Sequence, residues 1–375
     1  MRWLLRWLLD LARRLLAPFD LPLLAALLVL MGIGLATLYS ASNGSLRVVL
    51  AQSTYFAVGL AGLWVAARLP LPLLRQFTPA IYAASIVPLL LVLVIGKGKY
   101  GNHWISLGVF NVQPAELAKL TLPMMLAWVF DRHRLPPRLP VLAQALAVIA
   151  LPVGLILLQR DLGTAVLVLA SGVIVLFLAG VSWWWFASAG IAGLGAFAFV
   201  MLAPVEWMGF LRPYQQERLL MFRNPENDPM GAGWNIIQSK IAIGGGGLAG
   251  KGWGQGTQSH LNYLPEHTTD FVFSVLAEDF GWLGVVLVLA LYLFVIGRCL
   301  WIAAEARDGY GRLLAAALGL ALFVYVLVNG GMVSGLLPVV GVPMPLLSYG
   351  GTAPVTLLLG FGVVMAVRAH RPVHR

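Results

Sequence analysis

"FVFSVLAEDFGWLGVVLVLALYLFVIGR" occupies residues 271–298, and its reading decides the class of fold. Residues 281–297 carry no charge, so a helix through them, rising about 1.5 Å per residue, spans most of a hydrocarbon core roughly 30 Å thick. The whole chain has the same character. Of its 375 residues 60% are apolar and 11% charged, about half the charged share of a soluble domain. Such a chain cannot cover its apolar surface with polar side chains, so lipid must be its solvent. Working outward from 271–298, comparable runs fall at 21–41, 48–68, 78–96, 115–131, 140–158, 163–180, 183–203, 313–336 and 352–368. The expected fold class is an all-α integral membrane protein of ten transmembrane helices, forming a single polytopic domain over 1–375.

Ten crossings put both termini on one side of the membrane, and basic residues choose which side. Of the 25 lysines and arginines, fifteen fall in segments on the side of the termini. The short opposite loops hold only Arg47, Lys97, Lys99 and Arg160. The others are Lys119 and five residues of the long segment 204–270, and long loops cross regardless of charge. Both termini are therefore expected in the cytoplasm. "MRWLLRWLLDLARRLL", within 1–20, is basic and amphipathic, and reads as a cytoplasmic surface helix rather than a cleaved targeting peptide. A net charge of +10 would suggest nucleic acid in a soluble protein. Here the arginines set orientation, and no nucleic-acid partner is expected. The single cysteine, Cys299, excludes an internal disulfide and argues against a thiolate metal cluster.

Two outer segments stand out. Segment 97–114 is too polar to span, and its alternating apolar residues around Gly108 predict a small hairpin. Segment 204–270 is long for a structureless loop, and "GWNIIQSKIAIGG" within it has helical spacing of Ile236, Ile237, Ile241 and Ile243. It continues into "GGGGLAGKGWGQG", residues 244–256. Residues 245–251 read G-x-x-x-x-G-K, but Gly252 stands where a nucleotide-binding loop needs Ser or Thr for magnesium, and no buried strand precedes it. A nucleotide site is excluded. What remains open is a flexible gate, or a loop whose backbone approaches another phosphate.

Charged residues at span ends are costly and need reasons. Glu116 and Lys119 in "QPAELAKL" are three apart and share a helix face. They form either a self-neutralised structural pair or the charged wall of an outer cavity, with Lys119 free for an anion. Asp161 in "LLQRDLGTA" is either a helix cap or a second carboxylate of that cavity. In "YLPEHTTDFVFSVLAEDFG", Asp270 sits between polar Thr268 and Thr269 and apolar Phe271, Val272 and Phe273. It is either a helix N-cap or a partly desolvated general base. Glu266 and His267 lie near it, whereas Glu278 and Asp279 are about 12–14 Å further along a straight helix. "GLLPVVGVPMPLLSYGGTA", residues 335–353 with Ser348 near its end, breaks the helix where irregular backbone normally lines a cavity. No internal repeat is visible, which weighs against the common transporter folds.

Four stretches together resemble the SEDS family (shape, elongation, division and sporulation): "WISLGVFNVQPAELAKL", "QRDLGTA", "NPENDPMGAGWNIIQSKIAIGGGGLAGKGWGQGTQSHLNYLPEHTTDFVFSVLAEDFG" and "NGGMVSGLLPVVGVPMPLLSYGGTA". The wording of "GKGWGQGTQSHLNYLP" is nearer the elongation branch than the division branch. Arg160 stands where the family usually has proline, and His267 is displaced by one position. The resemblance implies a peptidoglycan glycosyltransferase that polymerises lipid II, a disaccharide-pentapeptide on undecaprenyl pyrophosphate, into glycan strands at the outer face of a bacterial plasma membrane. It implies Asp270 as the essential aspartate, acting as general base or metal ligand. Glu116, Lys119 and Asp161 become outer-cavity residues, with Lys251, Glu266 and Ser348 as further candidates. No cofactor is certain, although a divalent cation such as Mg could assist the leaving pyrophosphate. Implied partners are a class B penicillin-binding protein (a transpeptidase) and other membrane proteins of the elongation complex. The rival readings are a lipid flippase or transporter and a non-catalytic scaffold.

Overall fold

A computed structural model describes residues 18–96, 103–106, 111–202, 233–260 and 268–370, with 204, 207, 216, 220, 222 and 223. The basic stretch 1–17, most of 204–232, Glu266 and His267 lie outside the described residues. The elements in order are α1 (Leu21–Ala41), α2 (Leu46–Arg68), α3 (Leu71–Ile95), β1 (Ile105–Ser106), β2 (Asn111–Val112), α4 (Pro114–Asp131), α5 (Leu139–Leu158), α6 (Leu162–Leu178), α7 (Trp183–Leu202), α8 (Trp234–Gly245), α9 (Thr257–His260), α10 (Val272–Ala304), α11 (Gly309–Val333) and α12 (Thr352–Ala369). The strands pair antiparallel, Ile105 with Val112 and Ser106 with Asn111.

Among the described residues a helix lies on each of the ten apolar runs, and seven of these, α1, α2, α3, α5, α10, α11 and α12, are long and apolar enough to cross a membrane. Helices α6 and α7 are apolar over shorter stretches, and α4 carries Glu116, Lys119 and Asp131. Helix α3 begins at Leu71, earlier than the apolar run at 78, because Pro70 caps it and the polar turn around Arg75 continues the helix. Hydropathy marks the lipid-facing part of a helix, not its ends. Arg75 ion-pairs with Asp131 at the end of α4. The core is a lattice of helix contacts: α2 on α12, α10 on α11, α3 on α4, and α11 on α4 and α6. Close approach relies on small residues, as expected where lipid supplies no hydrophobic drive between helices. A Cβ on Gly362 of α12 would lie 2.5 Å from the Leu63 carbonyl oxygen of α2.

Helix α10 is broken at Gly281, where φ is 64° and ψ −161°. An unbroken helix would have Trp282 and Leu283 donate to the carbonyls of Glu278 and Asp279. Instead Trp282 N donates to Gly247 O at 2.9 Å and Leu283 N to Leu248 O at 3.1 Å. The two freed carbonyls accept from Lys251 N at 2.9 Å and Gly252 N at 3.1 Å. All four backbone groups released by the break are thus satisfied by the glycine-rich turn, as buried backbone requires. The stretch 244–256 is accordingly a backbone clasp on α10, a role beyond the two left open by the sequence, a flexible gate or a loop approaching another phosphate. Glu278, fully buried, completes the clasp: its carboxylate accepts from Lys251 Nζ at 2.7 Å, Thr257 N at 2.8 Å and Gln258 N at 3.2 Å. Asp279 accepts from Ser40 Oγ of α1, and Trp253 Nε1 donates to Ala36 O at 2.8 Å.

At the far end of α10 a second device ties three helices. Asp20, fully buried as the N-cap of α1, accepts from Leu23 N at 2.9 Å and from Arg298 Nη2 of α10 at 2.8 Å, and pairs with Arg368 Nη1 of α12 at 2.7 Å. Burial pushes the Asp20 carboxyl up, but the Arg298 hydrogen bond, the Leu23 amide and the Arg368 charge outweigh it and hold the pKa below the ordinary value. A depressed carboxylate stabilises the fold above its unfolded pKa of about 3.9, and that stability is lost as pH falls through the folded value. Asp20→Asn is expected to destabilise the protein by roughly 1–3 kcal/mol at neutral pH, seen as a lower thermal midpoint in detergent, and to flatten the acid limb of the stability profile.

Candidate active site

One cavity of about 710 Å³ opens at the end of the bundle opposite Asp20. Segments distant in sequence converge on it: Gln113, Glu116 and Lys119 at the start of α4, Arg160 and Asp161 in the α5–α6 turn, Asn235 of α8, Asp270 before α10, and parts of 339–353. Of the candidates read from sequence, it brings together Glu116, Lys119, Asp161 and Asp270.

Pro114 opens α4 with Gln113 as its cap, so Glu116 falls in the first turn and Lys119 one turn on. They pair at 2.7 Å, with side-chain exposures of 5% and 10%. The Lys119 ammonium also lies 4.9 Å from the Tyr325 ring centroid, on α11. The pair is self-neutralised and also lines the cavity, with the Lys119 ammonium engaged by Glu116 rather than free for an anion. Lys119→Ala would strand a buried carboxylate, a loss expected to cost about 3–5 kcal/mol. Glu116→Gln, which keeps a neutral acceptor beside Lys119, is expected to cost less, and thermal unfolding of the two purified variants checks the order.

Asp161 is the N-cap of α6, with Oδ1 accepting from Thr164 N at 3.0 Å. Its Oδ2 accepts from Gln113 Nε2 at 2.6 Å, which joins the caps of α4 and α6 across the cavity wall. Asp270 is not the cap of α10. That position belongs to Phe271, whose side chain makes no capping hydrogen bond. The Asp270 main chain is fixed instead by Asn329 of α11, whose Nδ2 donates to Asp270 O at 2.8 Å and Val342 O at 2.7 Å. Gly341, at φ 74°, brings bare backbone beside the carboxylate: a Cβ there would lie 3.5 Å from Asp270 Oδ2.

Lys251 and Ser348 are not among the described residues lining this cavity. Lys251 is engaged with Glu278 and Thr257 in the glycine clasp. Ser348 Oγ accepts from Met344 N at 2.8 Å, closing a turn of 335–351, and lines a smaller apolar pocket of about 70 Å³ with Leu120, Leu167, Tyr325 and Phe361. Sequence reading missed Asn329, Gln113 and Tyr325. For Asn329 the signal was present, as an amide inside the apolar run of α11. Among the described residues no group of three or more His, Cys, Asp or Glu is placed to hold a metal ion. The chemistry below is derived from the described side chains alone.

Apolar helices enclosing a cavity with five charged side chains at one end of the bundle define the class as a polytopic membrane protein. The chain belongs to the FTSW_RODA_SPOVE family of cell cycle proteins, which it matches over residues 14–372. It is 45% identical over 353 residues to the peptidoglycan glycosyltransferase MrdB of Escherichia coli K12, covering 94% of each chain. It is similar to a chain of a solved peptidoglycan synthase complex that coordinates polymerization and crosslinking, at 34% identity and TM-score 0.78, covering 93% of this chain and 97% of that one. The crystal structure of the rod shape determining protein RodA of Thermus thermophilus matches at 29% identity and TM-score 0.71, covering 94% of this chain and 97% of that one.

Proposed function

We propose that this protein is a peptidoglycan glycosyltransferase of cell elongation, which polymerises lipid II at the outer face of the plasma membrane. Ten crossings with both termini in the cytoplasm, as the distribution of arginines favours, put the cavity end outside and the Asp20 clasp inside. The carrying observation is the convergence of Asp270 with Glu116, Lys119 and Asp161 on one cavity, from three separate segments spread over residues 116–270.

The reaction is a single inverting displacement. The acceptor hydroxyl oxygen forms a bond to the donor's anomeric carbon while the bond from that carbon to the pyrophosphate oxygen breaks. The pyrophosphate leaves on its lipid, and Asp270 takes the hydroxyl proton as general base. Asn329 and Gly341 position the carboxylate, by holding its main chain and by leaving space beside it. The clasp keeps α10 in register below. A class B penicillin-binding protein is the partner this reading implies, in keeping with the synthase complex to which the chain is similar.

The test is glycan product resolved on gels from lipid II and purified protein, with and without a class B transpeptidase. Strand growth is expected. No product in either arm, together with movement of lipid II across vesicle bilayers, would replace this reading with a flippase.

A further inference from the structure

We propose that the guanidinium of Arg160 holds the leaving pyrophosphate of the lipid-linked donor. The inference rests on the glycosyl-transfer reading and deepens it. Five charged side chains line the cavity: Glu116, Lys119, Arg160, Asp161 and Asp270. Their formal sum is negative, so an entering pyrophosphate needs a cation that is not already committed. Lys119 is committed to Glu116 at 2.7 Å and faces the Tyr325 ring. Lys251 is held by Glu278 elsewhere. Arg160 is exposed, and its side chain makes no hydrogen bond or ion pair among the described residues. A guanidinium presents a planar fork of donors that matches two phosphate oxygens at once.

The backbone supplies an independent observation. Arg160 has φ 64°. Its N–H donates to Leu157 O at 3.0 Å, and the next residue's N–H to Ile156 O at 3.3 Å. These are the two bonds of a Schellman turn ending α5, with Arg160 at the left-handed position where glycine is favoured. An L-residue there costs about 1–2 kcal/mol relative to an ordinary conformation. Strain kept at the wall of a cavity points to a use for the side chain that bears it.

Arg160→Gly removes the guanidinium and suits the turn, so the thermal midpoint should hold or rise. The KM for lipid II is expected to increase roughly 10-fold to 100-fold, as for loss of charged hydrogen bonds, with kcat changed much less. Inhibition of the wild type by inorganic pyrophosphate should weaken in Arg160→Gly by a comparable factor, and Arg160→Lys should recover part of both effects. Unchanged KM and unchanged pyrophosphate inhibition would overturn the proposal and leave Arg160 as an interfacial residue facing solvent or lipid headgroups. Direct binding of undecaprenyl pyrophosphate separates this failure from failure of the function. If the wild type does not polymerise lipid II, equal affinity in wild type and Arg160→Gly still overturns the role of Arg160, and weakened affinity still supports it.

Discussion

Asp270→Asn is expected to leave the protein folded and inserted while polymerisation of lipid II falls by roughly 10²–10⁴-fold, the usual contribution of a general base. Asparagine keeps the size of the side chain and most of its hydrogen bonding, and it removes the negative charge and with it the capacity to take a proton. A capping aspartate would tolerate the change, since asparagine caps as well as aspartate. Here the cap of α10 is Phe271, one residue later, so no loss of helix stability should accompany the loss of rate. The main-chain bond from Asn329 to Asp270 O is untouched by the substitution. Gel-resolved glycan over time, beside thermal unfolding and co-purification with the transpeptidase, makes the comparison. Polymerisation by Asp270→Asn at the wild-type rate would show that the proposed base is wrong.

The second large effect is structural. Gly250→Ala places a Cβ 2.1 Å from the Asp279 carbonyl oxygen and 2.4 Å from its carbon, both backbone atoms that cannot swing aside. Gly250 also has φ 82°. Left-handed strain and overpacking together are expected to destabilise the protein by about 3 kcal/mol or more. The clasp at Gly281 should open with it, since Lys251 N and Gly252 N can no longer reach α10. Gly247→Ala is the control. Its φ is 55°, but nothing lies within 4 Å of the added Cβ, so a loss of only about 1 kcal/mol is expected. Equal thermal midpoints for the two variants would rule out the clasp.

The same glycines show where sequence reading stopped. That 244–256 is special was legible, because few other uses explain so many glycines in a row. Its purpose was not. The groups it satisfies belong to Glu278, Asp279, Trp282 and Leu283, and a helix break there leaves no mark in hydropathy. Glu278 and Asp279 raised the related question of whether they join Asp270. The structure commits Glu278 to the clasp and Asp279 to Ser40. Glu116 and Lys119 were legible as a pair because helical spacing is a local property, and Asp161 as a cap for the same reason. The amide of Gln113 joining two caps, and Asn329 reaching the Asp270 carbonyl, depend on which helices become neighbours.

Lipid as solvent, the positions of the apolar helices and the bias of positive charge to one side were determined by the sequence alone. Each follows from the transfer energy of individual side chains, which sum along a segment whatever the segment packs against. The committed state of Lys119 and Lys251, the open state of Arg160 and the glycine clasp on α10 were decided by the tertiary structure. They depend on which hydrogen-bonding group finds which partner, and in a bundle those partners come from helices far apart in the chain.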